Sequence, residues 1–187
     1  IKPWLKIGTS INVLNLNTED TPDNASSGRG GVIMSALNTP PFLQIYKDDG
    51  SGWFDPNPFQ PSWENPVAYM EGPDQRSVDK QLFGSIYAEA KLIEGLFFKT
   101  RLGLDMNSHQ WDYYLDPVRT NYGRQQNGIG SSDKYNSNTW LFENTLDYSK
   151  VIEKHKFNGM LGSSLQKYNR NDSYLTGNDF PADASVK

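Results

Sequence analysis

The chain has 187 residues, a net charge of −4, and 36% hydrophobic and 13% aromatic residues. No run approaches the ~18 apolar residues of a membrane-spanning helix, and no basic cluster is present, which argues against nucleic acid as a partner. The absence of cysteine excludes disulfides and thiolate metal sites, while 16 glycines and 11 prolines supply many turn formers.

The first predicted element is a β-strand in "WLKIGTSINVL". Apolar Leu5 and Ile7 alternate with Lys6 and Gly8, and a period of two is typical of a strand with two unlike faces. A long loop follows, because glycine, proline, asparagine and aspartate interrupt regular structure there. Within this loop "GGVIMSALNTPP" predicts one short helix over residues 32–37, which ends before the two prolines.

The next predicted elements form a hairpin in "DKQLFGSIYAEAKLIEGLFFKTRLGLD". Glycine suits the left-handed position of its turn, and pairing Leu92 with Leu96 places Ala90 beside Phe98 on one face. A second polar loop leads to two further strands, "NTWLFENTLDYSKVI" and "KFNGMLGSSLQKY", which meet around Glu153. The predicted strands lie near residues 4–14, 79–93, 96–115, 138–152 and 156–168. The predicted extracellular loops lie near residues 15–78, 117–137 and 169–187.

Five alternate residues of each predicted strand carry no charge, and the opposite side carries Lys6, Glu89, Lys91, Lys99, Arg101, Asp105, Glu143 and Asp147. A charge facing the middle of a bilayer costs about 2–4 kcal/mol, so the uncharged faces suit lipid. Five of these side chains are expected to pair across strands or to hold a plug: Lys99, Arg101, Asp105, Glu143 and Asp147. The same alternation also suits a β-sandwich, whose inner faces would be these apolar residues.

Loop lengths and aromatic positions favour a membrane barrel. Short and long connections alternate, as in outer-membrane barrels. Aromatic residues collect near both ends of the strands, as expected for rings at two membrane interfaces. They are Trp4, Phe98, Tyr148 and Phe157 near the short turns, and Trp111, Tyr113, Tyr114 and Trp140 near the long loops.

Four segments carry a family resemblance: "WLKIGTSINV", "ALNTPPFLQIYKDDGSG", "LFGSIYAEAKLIEGLFFKTRLGLD" and "NTWLFENTLDYSKVIEKHKFNGMLGSSLQ". In their order and spacing the chain resembles the mid-barrel region of SusC/RagA-type TonB-dependent transporters of Bacteroidetes outer membranes. The resemblance implies an all-β fold: an antiparallel transmembrane β-barrel of about 22 strands, of which this chain supplies about five. The plug domain is absent, so we expect a fragment.

The resemblance also implies partners and a role. It implies an importer of glycans or peptides in contact with outer-membrane lipid, capped by a SusD-like surface lipoprotein. TonB–ExbB–ExbD would supply energy through parts outside this fragment. The alternative is a soluble or surface-attached β-sandwich module that binds glycans.

Candidate substrate- or partner-binding residues lie in the long first loop: Trp53, Phe54, Trp63 and Tyr69. Flat rings amid polar neighbours suit sugars or peptides, and they suit a protein lid equally well. The alternative, which the sequence favours, is that these residues pack the loop against itself and its neighbours. His109 and His155 are interpreted as surface or interface residues. No catalytic motif, metal site or cofactor is expected, because "DDGSGWFD" lacks the EF-hand spacing and no nucleophile or carboxylate pair stands out. We therefore expect a protein that is not an enzyme.

Overall fold

The computed structural model describes residues 3–21, 31–50, 54, 64–118 and 120–180. Its strands form one open, antiparallel sheet of five strands in chain order. The prediction of an all-β fold is confirmed. The strands are β1 (Leu5–Glu19), β2 (Pro73–Ile93), β3 (Leu96–Leu115), β4 (Ile129–Ile152) and β5 (His155–Asn178). The helices are α1 (Gly31–Asn38), α2 (Pro66–Glu71) and α3 (Asn121–Gln126).

The two hairpins turn where the sequence predicts. Between β2 and β3, Gly95 has φ +81°, a left-handed conformation that glycine adopts without steric cost. Asp79 contacts His109 across these strands, in the register of the predicted pairing between Leu92 and Leu96. Between β4 and β5, Glu153 takes the left-handed position with φ +55°.

Four strands extend beyond their predicted ends, so the predicted loops 15–78, 117–137 and 169–187 are wrong where β1, β2, β4 and β5 continue. These extensions are rich in asparagine, serine, aspartate and glycine, which have low strand propensity. Ladder bonds and cross-strand contacts stabilise them nevertheless, because strand stability depends more on neighbours than on intrinsic preference. The Oγ atoms of Ser131 on β4 and Thr176 on β5, for example, lie 3.3 Å apart.

The helix predicted over residues 32–37 is confirmed by α1, whereas α2 and α3 were missed. Both missed helices are only 6 residues long, although each carries a start signal. Asn65 caps α2 by accepting a bond from the Val67 amide, and Thr120 caps α3 by accepting one from the Gly123 amide. Asparagine and threonine are favoured at such caps because they satisfy a free backbone N–H. None of the helices in the described ranges is long and apolar enough to cross a membrane.

The chain divides into two compact units. Unit 1 comprises residues 1–16, 79–109 and 135–172, and unit 2 comprises residues 17–78, 110–134 and 173–187. Unit 2 has a small core in which Phe54, Ala68 and Leu115 are buried. Ser35, Asn65 and Thr120 are buried polar residues of the same unit, and each makes a hydrogen bond.

Unit 1 is a single layer. None of its described residues is buried, and large apolar side chains on one face are exposed, including Ile11, Val13, Ile86, Leu102, Leu161 and Leu165. A β-sandwich would bury these side chains against a second sheet. Within the described ranges the strands make only one sheet, so this part of the chain does not form the predicted alternative of a sandwich.

Candidate functional site

The polar face of unit 1 is the strongest candidate site, and a glycine shapes one part of it. Tyr87 on β2 lies against Gly8 on β1 so closely that a Cβ atom on Gly8 would stand 2.4 Å from the Tyr87 ring. No side chain larger than hydrogen fits there while the ring keeps its position. The Tyr87 ring therefore covers β1 backbone at this point of the polar face.

A ladder of charges crosses four strands on the same face. The Lys6 ammonium lies 3.7 Å from the Glu89 carboxylate on β2. The Lys99 ammonium on β3 lies 3.5 Å from Glu89 and 3.8 Å from Asp147 on β4. The expectation that Lys99 and Asp147 pair across strands is therefore confirmed. Each pair is part-exposed, so we assign no more than about 0–1 kcal/mol to it.

Beside this ladder the polar face of unit 1 has an open concavity of about 800 Å³. Its lining combines charges of both signs, Lys99, Arg101, Glu89 and Glu143, with the hydroxyl groups of neighbouring serines and threonines. Arg101 makes a long contact of 3.5 Å from Nη2 to Ser85 Oγ. Such a surface suits water and polar solutes or polar protein segments, and it does not suit lipid.

A second row of side-chain contacts runs across β2 to β5. This row was not predicted from the sequence. His109 Nδ1 lies 2.6 Å from Asp79 Oδ1, and the His109 ring stacks on Tyr135 at 5.1 Å between centroids. The Arg170 guanidinium lies 4.8 Å from the Tyr135 ring centroid and donates through Nε to Asp172. The hairpin register alone places Asp79 opposite His109, so that part of the row was predictable.

The four predicted binding residues have different outcomes. Trp53 and Trp63 lie outside the described residues. Phe54 is only 3% exposed, and its ring stacks on Tyr46 at 5.4 Å between centroids. Phe54 therefore packs inside unit 2, as the alternative of loop self-packing predicts. Tyr69 is part-exposed on α2 and stays a binding candidate.

Tyr69 belongs to an aromatic cluster in unit 2 with Trp111, Tyr113 and Tyr122. The rings of Trp111 and Tyr113 lie 5.8 Å apart and nearly parallel, at 11°. Burial raises the pKa of Tyr113 above its usual 10.0, and the charges of ionised Tyr122 and Tyr69 raise it further. Tyr113 lies 17 residues after the start of β3, beyond the ~9–11 residues that span a bilayer.

The predicted group of aromatic residues at the membrane interface near the long loops is wrong at this end of β3. Trp111 and Tyr113 lie on the side of the strand opposite Asp112 and Tyr114, because successive strand residues point to opposite faces. Tyr114 instead meets Phe180 edge-on at 5.6 Å between centroids. Trp111, Tyr113 and Tyr114 therefore cannot share one lipid-facing ring of aromatic residues.

In the described part of the chain, no group of three or more His, Asp or Glu side chains is arranged to hold a metal ion. All buried polar side-chain atoms in the described ranges have a hydrogen-bond partner. The described polar groups of unit 1 are arranged as pairs and rows.

Comparison with known proteins gives a fold but no family. No protein-family model and no curated protein matches the chain. A structure of the RagAB peptide transporter matches with TM-score 0.66 and 17% identity, over 100% of this chain and 21% of that chain.

Two structures of the RagAB peptide importer also match. The "closed-closed" state has TM-score 0.69 and 18% identity, over 98% of this chain and 20% of that chain. The "open-open" state has TM-score 0.66 and 19% identity, over 95% of this chain and 20% of that chain. The chain thus spans about a fifth of the length of these proteins. At this identity the likeness shows a shared fold.

Proposed function

We propose that the chain forms part of the barrel wall of a TonB-dependent outer-membrane importer of glycans or peptides. The apolar face of unit 1 contacts outer-membrane lipid, and the polar face lines the wet interior of the barrel. The role is transport without catalysis. A SusD-like lipoprotein closes the importer, and TonB–ExbB–ExbD drives it through parts outside this chain.

One observation carries the proposal: on the exposed apolar face of unit 1, five successive positions of each strand carry no charge, and Lys80, Lys150 and Lys167 follow on the same side outside those positions. On β3 it presents Phe98, Thr100, Leu102, Leu104 and Met106, and Leu102, Leu104 and Met106 are exposed although they are large and apolar. A soluble monomer rarely exposes a contiguous apolar patch larger than a few hundred Å². Lipid is the medium that stabilises such a face without a second protein layer.

The polar face supports the same proposal from the other side of the sheet. Ionised side chains in contact with lipid are costly, so in membrane proteins they line water-filled spaces and pair with one another. The ladder from Lys6 to Asp147 has this arrangement. Transmembrane barrels have the same alternation of apolar outside and polar inside.

The solved structures add support at the level of fold. The matched chains belong to a peptide transporter, and the whole of this chain corresponds to a part of one of them. A wall segment contributes to transport by separating lipid from the solute path. A wall segment does not by itself determine which solute is imported, so the proposal includes both glycans and peptides.

The first test is a spin-label accessibility scan from Phe98 to Met106 in the full-length protein reconstituted in bilayers. Each residue is replaced in turn by a labelled cysteine, and this chain has no native cysteine. We expect accessibility to oxygen to peak at the even-numbered residues, because oxygen concentrates in lipid. We expect a polar relaxation agent to reach Lys99, Arg101, Gly103 and Asp105.

The odd-numbered residues serve as matched controls on the same strand. If both reagents are excluded from the even-numbered residues, those side chains face protein, and the barrel-wall proposal is wrong. If the two reagents show no alternation, β3 does not separate two media, and the proposal fails as well.

A further inference from the structure

The apolar face of unit 1 carries lysines but no acidic side chain. Within the strands of unit 1, the lysines on this face are Lys80, Lys150 and Lys167, and the face has no aspartate or glutamate, because successive strand residues point to opposite faces. The carboxylates of the same strand segments all lie on the polar face: Asp79, Glu89, Asp105, Glu143, Asp147 and Asp172. The lysines of the apolar face therefore have no carboxylate on their own side of these strands.

Lys167 lies at the border of the apolar face on β5. Leu161 and Leu165 precede it on the same side of the strand, and both are exposed. Lys167 is the next large side chain on that side toward the loop end of β5, and it is also exposed. A lysine in this position lays its aliphatic stem along apolar surface and extends its ammonium to the level of lipid head groups.

The register of β4 and β5 determines which residue lies beside Lys167. Asn169 Nδ2 donates to Asn138 Oδ1 at 3.1 Å across the two strands, and a second side-chain bond nearer the turn has the same register. Two residues further along each antiparallel strand, Lys167 lies opposite Trp140. The Cβ atoms of such a pair are about 4.5–5.5 Å apart, so the ammonium and the indole can reach the same bound group.

Three hydrogen-bond donors meet at this border. Lys167 supplies an ammonium, Trp140 an indole N–H and Asn138 an amide NH2, while the Asn138 oxygen accepts the bond from Asn169. Trp140 is 37% exposed, and tryptophan is typical of the level at which lipid head groups lie. A positive charge beside neutral donors suits the oxygens of a phosphate.

We propose that Lys167, Trp140 and Asn138 bind the phosphate of an anionic lipid, whose acyl chains lie along the apolar face of unit 1. A zwitterionic lipid would also bring an ammonium, and no carboxylate on this face of the strands is there to pair with it. The inference rests on the proposed function, because the site needs the apolar face to lie in lipid. It narrows the lipid partner to one with a net negative phosphate head group.

The test uses the full-length protein in phosphatidylcholine bilayers, with a fluorophore attached at Asn171→Cys. Asn171 lies on the same side of β5, beyond Asn169. Nitroxide-labelled phosphatidic acid or nitroxide-labelled phosphatidylcholine is added at equal fractions, and quenching reports how often each lipid lies near the fluorophore. We expect phosphatidic acid to be enriched by about threefold to fivefold, as for one lysine near an anionic lipid surface.

The variants remove one charge at a time. Lys167→Met should bring the ratio of quenching by the two lipids close to one, and Lys167→Gln keeps the test valid if Lys167→Met fails to fold. Lys150→Met is the matched control, since Lys150 lies on the same face near the turn between β4 and β5. It should leave the ratio unchanged.

The outcomes separate this inference from the barrel-wall proposal. Equal quenching by both lipids, or enrichment that persists without the Lys167 charge, would overturn the lipid site and leave the barrel wall standing. If neither lipid quenches the fluorophore, the face does not lie in lipid, and both proposals are wrong.

A salt comparison distinguishes a lipid head group from free phosphate. Sodium phosphate and sodium chloride at equal ionic strength should lower the enrichment equally, because both act only by screening. A loss specific to sodium phosphate would show that the site takes the free ion, and the lipid assignment would then be wrong.

Discussion

At the scale of single residues, two glycines on opposite faces of unit 1 differ in what a side chain would meet. Gly8 leaves room for the Tyr87 ring, whereas Gly159 on β5 has no atom within 4 Å of the position a Cβ would take. Both glycines lie within β-strands, but only Gly8 lies under a ring. Alternation along the sequence predicts which face of the sheet each glycine lies on. It does not predict which glycine lies under a ring.

Exchanging the two glycines for alanine gives a direct test. Gly8→Ala should lower the free energy of unfolding by about 0.5–1.5 kcal/mol, because the exposed Tyr87 ring must leave its present position to make room for the methyl group. Gly159→Ala should be neutral or raise it by about 0.5–1 kcal/mol, since alanine loses less conformational entropy than glycine. Urea unfolding of the full-length protein in detergent measures both. Equal shifts in the two variants would contradict the packing account.

At the scale of elements, the register of the hairpins decides which charges meet. Once Leu92 is paired with Leu96, Glu89 and Lys99 lie opposite each other, as do Asp79 and His109. Sequence reasoning reached this register because glycine marks the turn and the faces must match. The sequence did not predict the extensions of β4 and β5, because their polar residues are stabilised in strands only by contacts with neighbouring strands.

The central member of the charge ladder allows a second test. Lys99→Met removes two contacts, and we expect the free energy of unfolding to fall by about 0.2–1 kcal/mol for each. Half of the Lys99 side chain is exposed, which favours the lower end of that range. The loss should shrink at high salt, because ions screen exposed charges.

A double-mutant cycle of Lys99→Met with Asp147→Asn isolates one contact. Urea unfolding at low and high salt measures the coupling between the two positions. A coupling of zero at low salt would show that this pair contributes nothing to stability. A coupling independent of salt would contradict the assignment of an exposed ion pair.

At the scale of the whole molecule, the distribution of buried residues separates the two units. The buried residues of the described ranges all belong to unit 2, and unit 1 exposes both faces of its strands. β1 and β5 each have a neighbour on one side only. An exposed strand edge and an apolar face both promote association with other chains.

The chain produced alone should therefore not behave as a soluble monomer. After refolding from urea without detergent, we expect it to sediment or to bind a hydrophobic dye strongly, because the apolar face of unit 1 has no cover. The full-length protein in detergent is the control for sedimentation and should stay in solution. A soluble monomer with one cooperative unfolding transition would contradict the lipid-facing assignment.

Hydrophobic alternation and turn residues were enough to predict the strands of unit 1, their alternating faces and both hairpin turns. A period of two and a turn glycine are local signals, so they can be recognised without knowing which parts of the chain pack nearby. Only the three-dimensional structure shows that the strands of the described ranges form one open layer and not two packed sheets. It also decided that Phe54 is buried, and that Tyr69 and Tyr122 approach Tyr113. These contacts join residues far apart in the chain, and no local pattern encodes which distant side chains will meet.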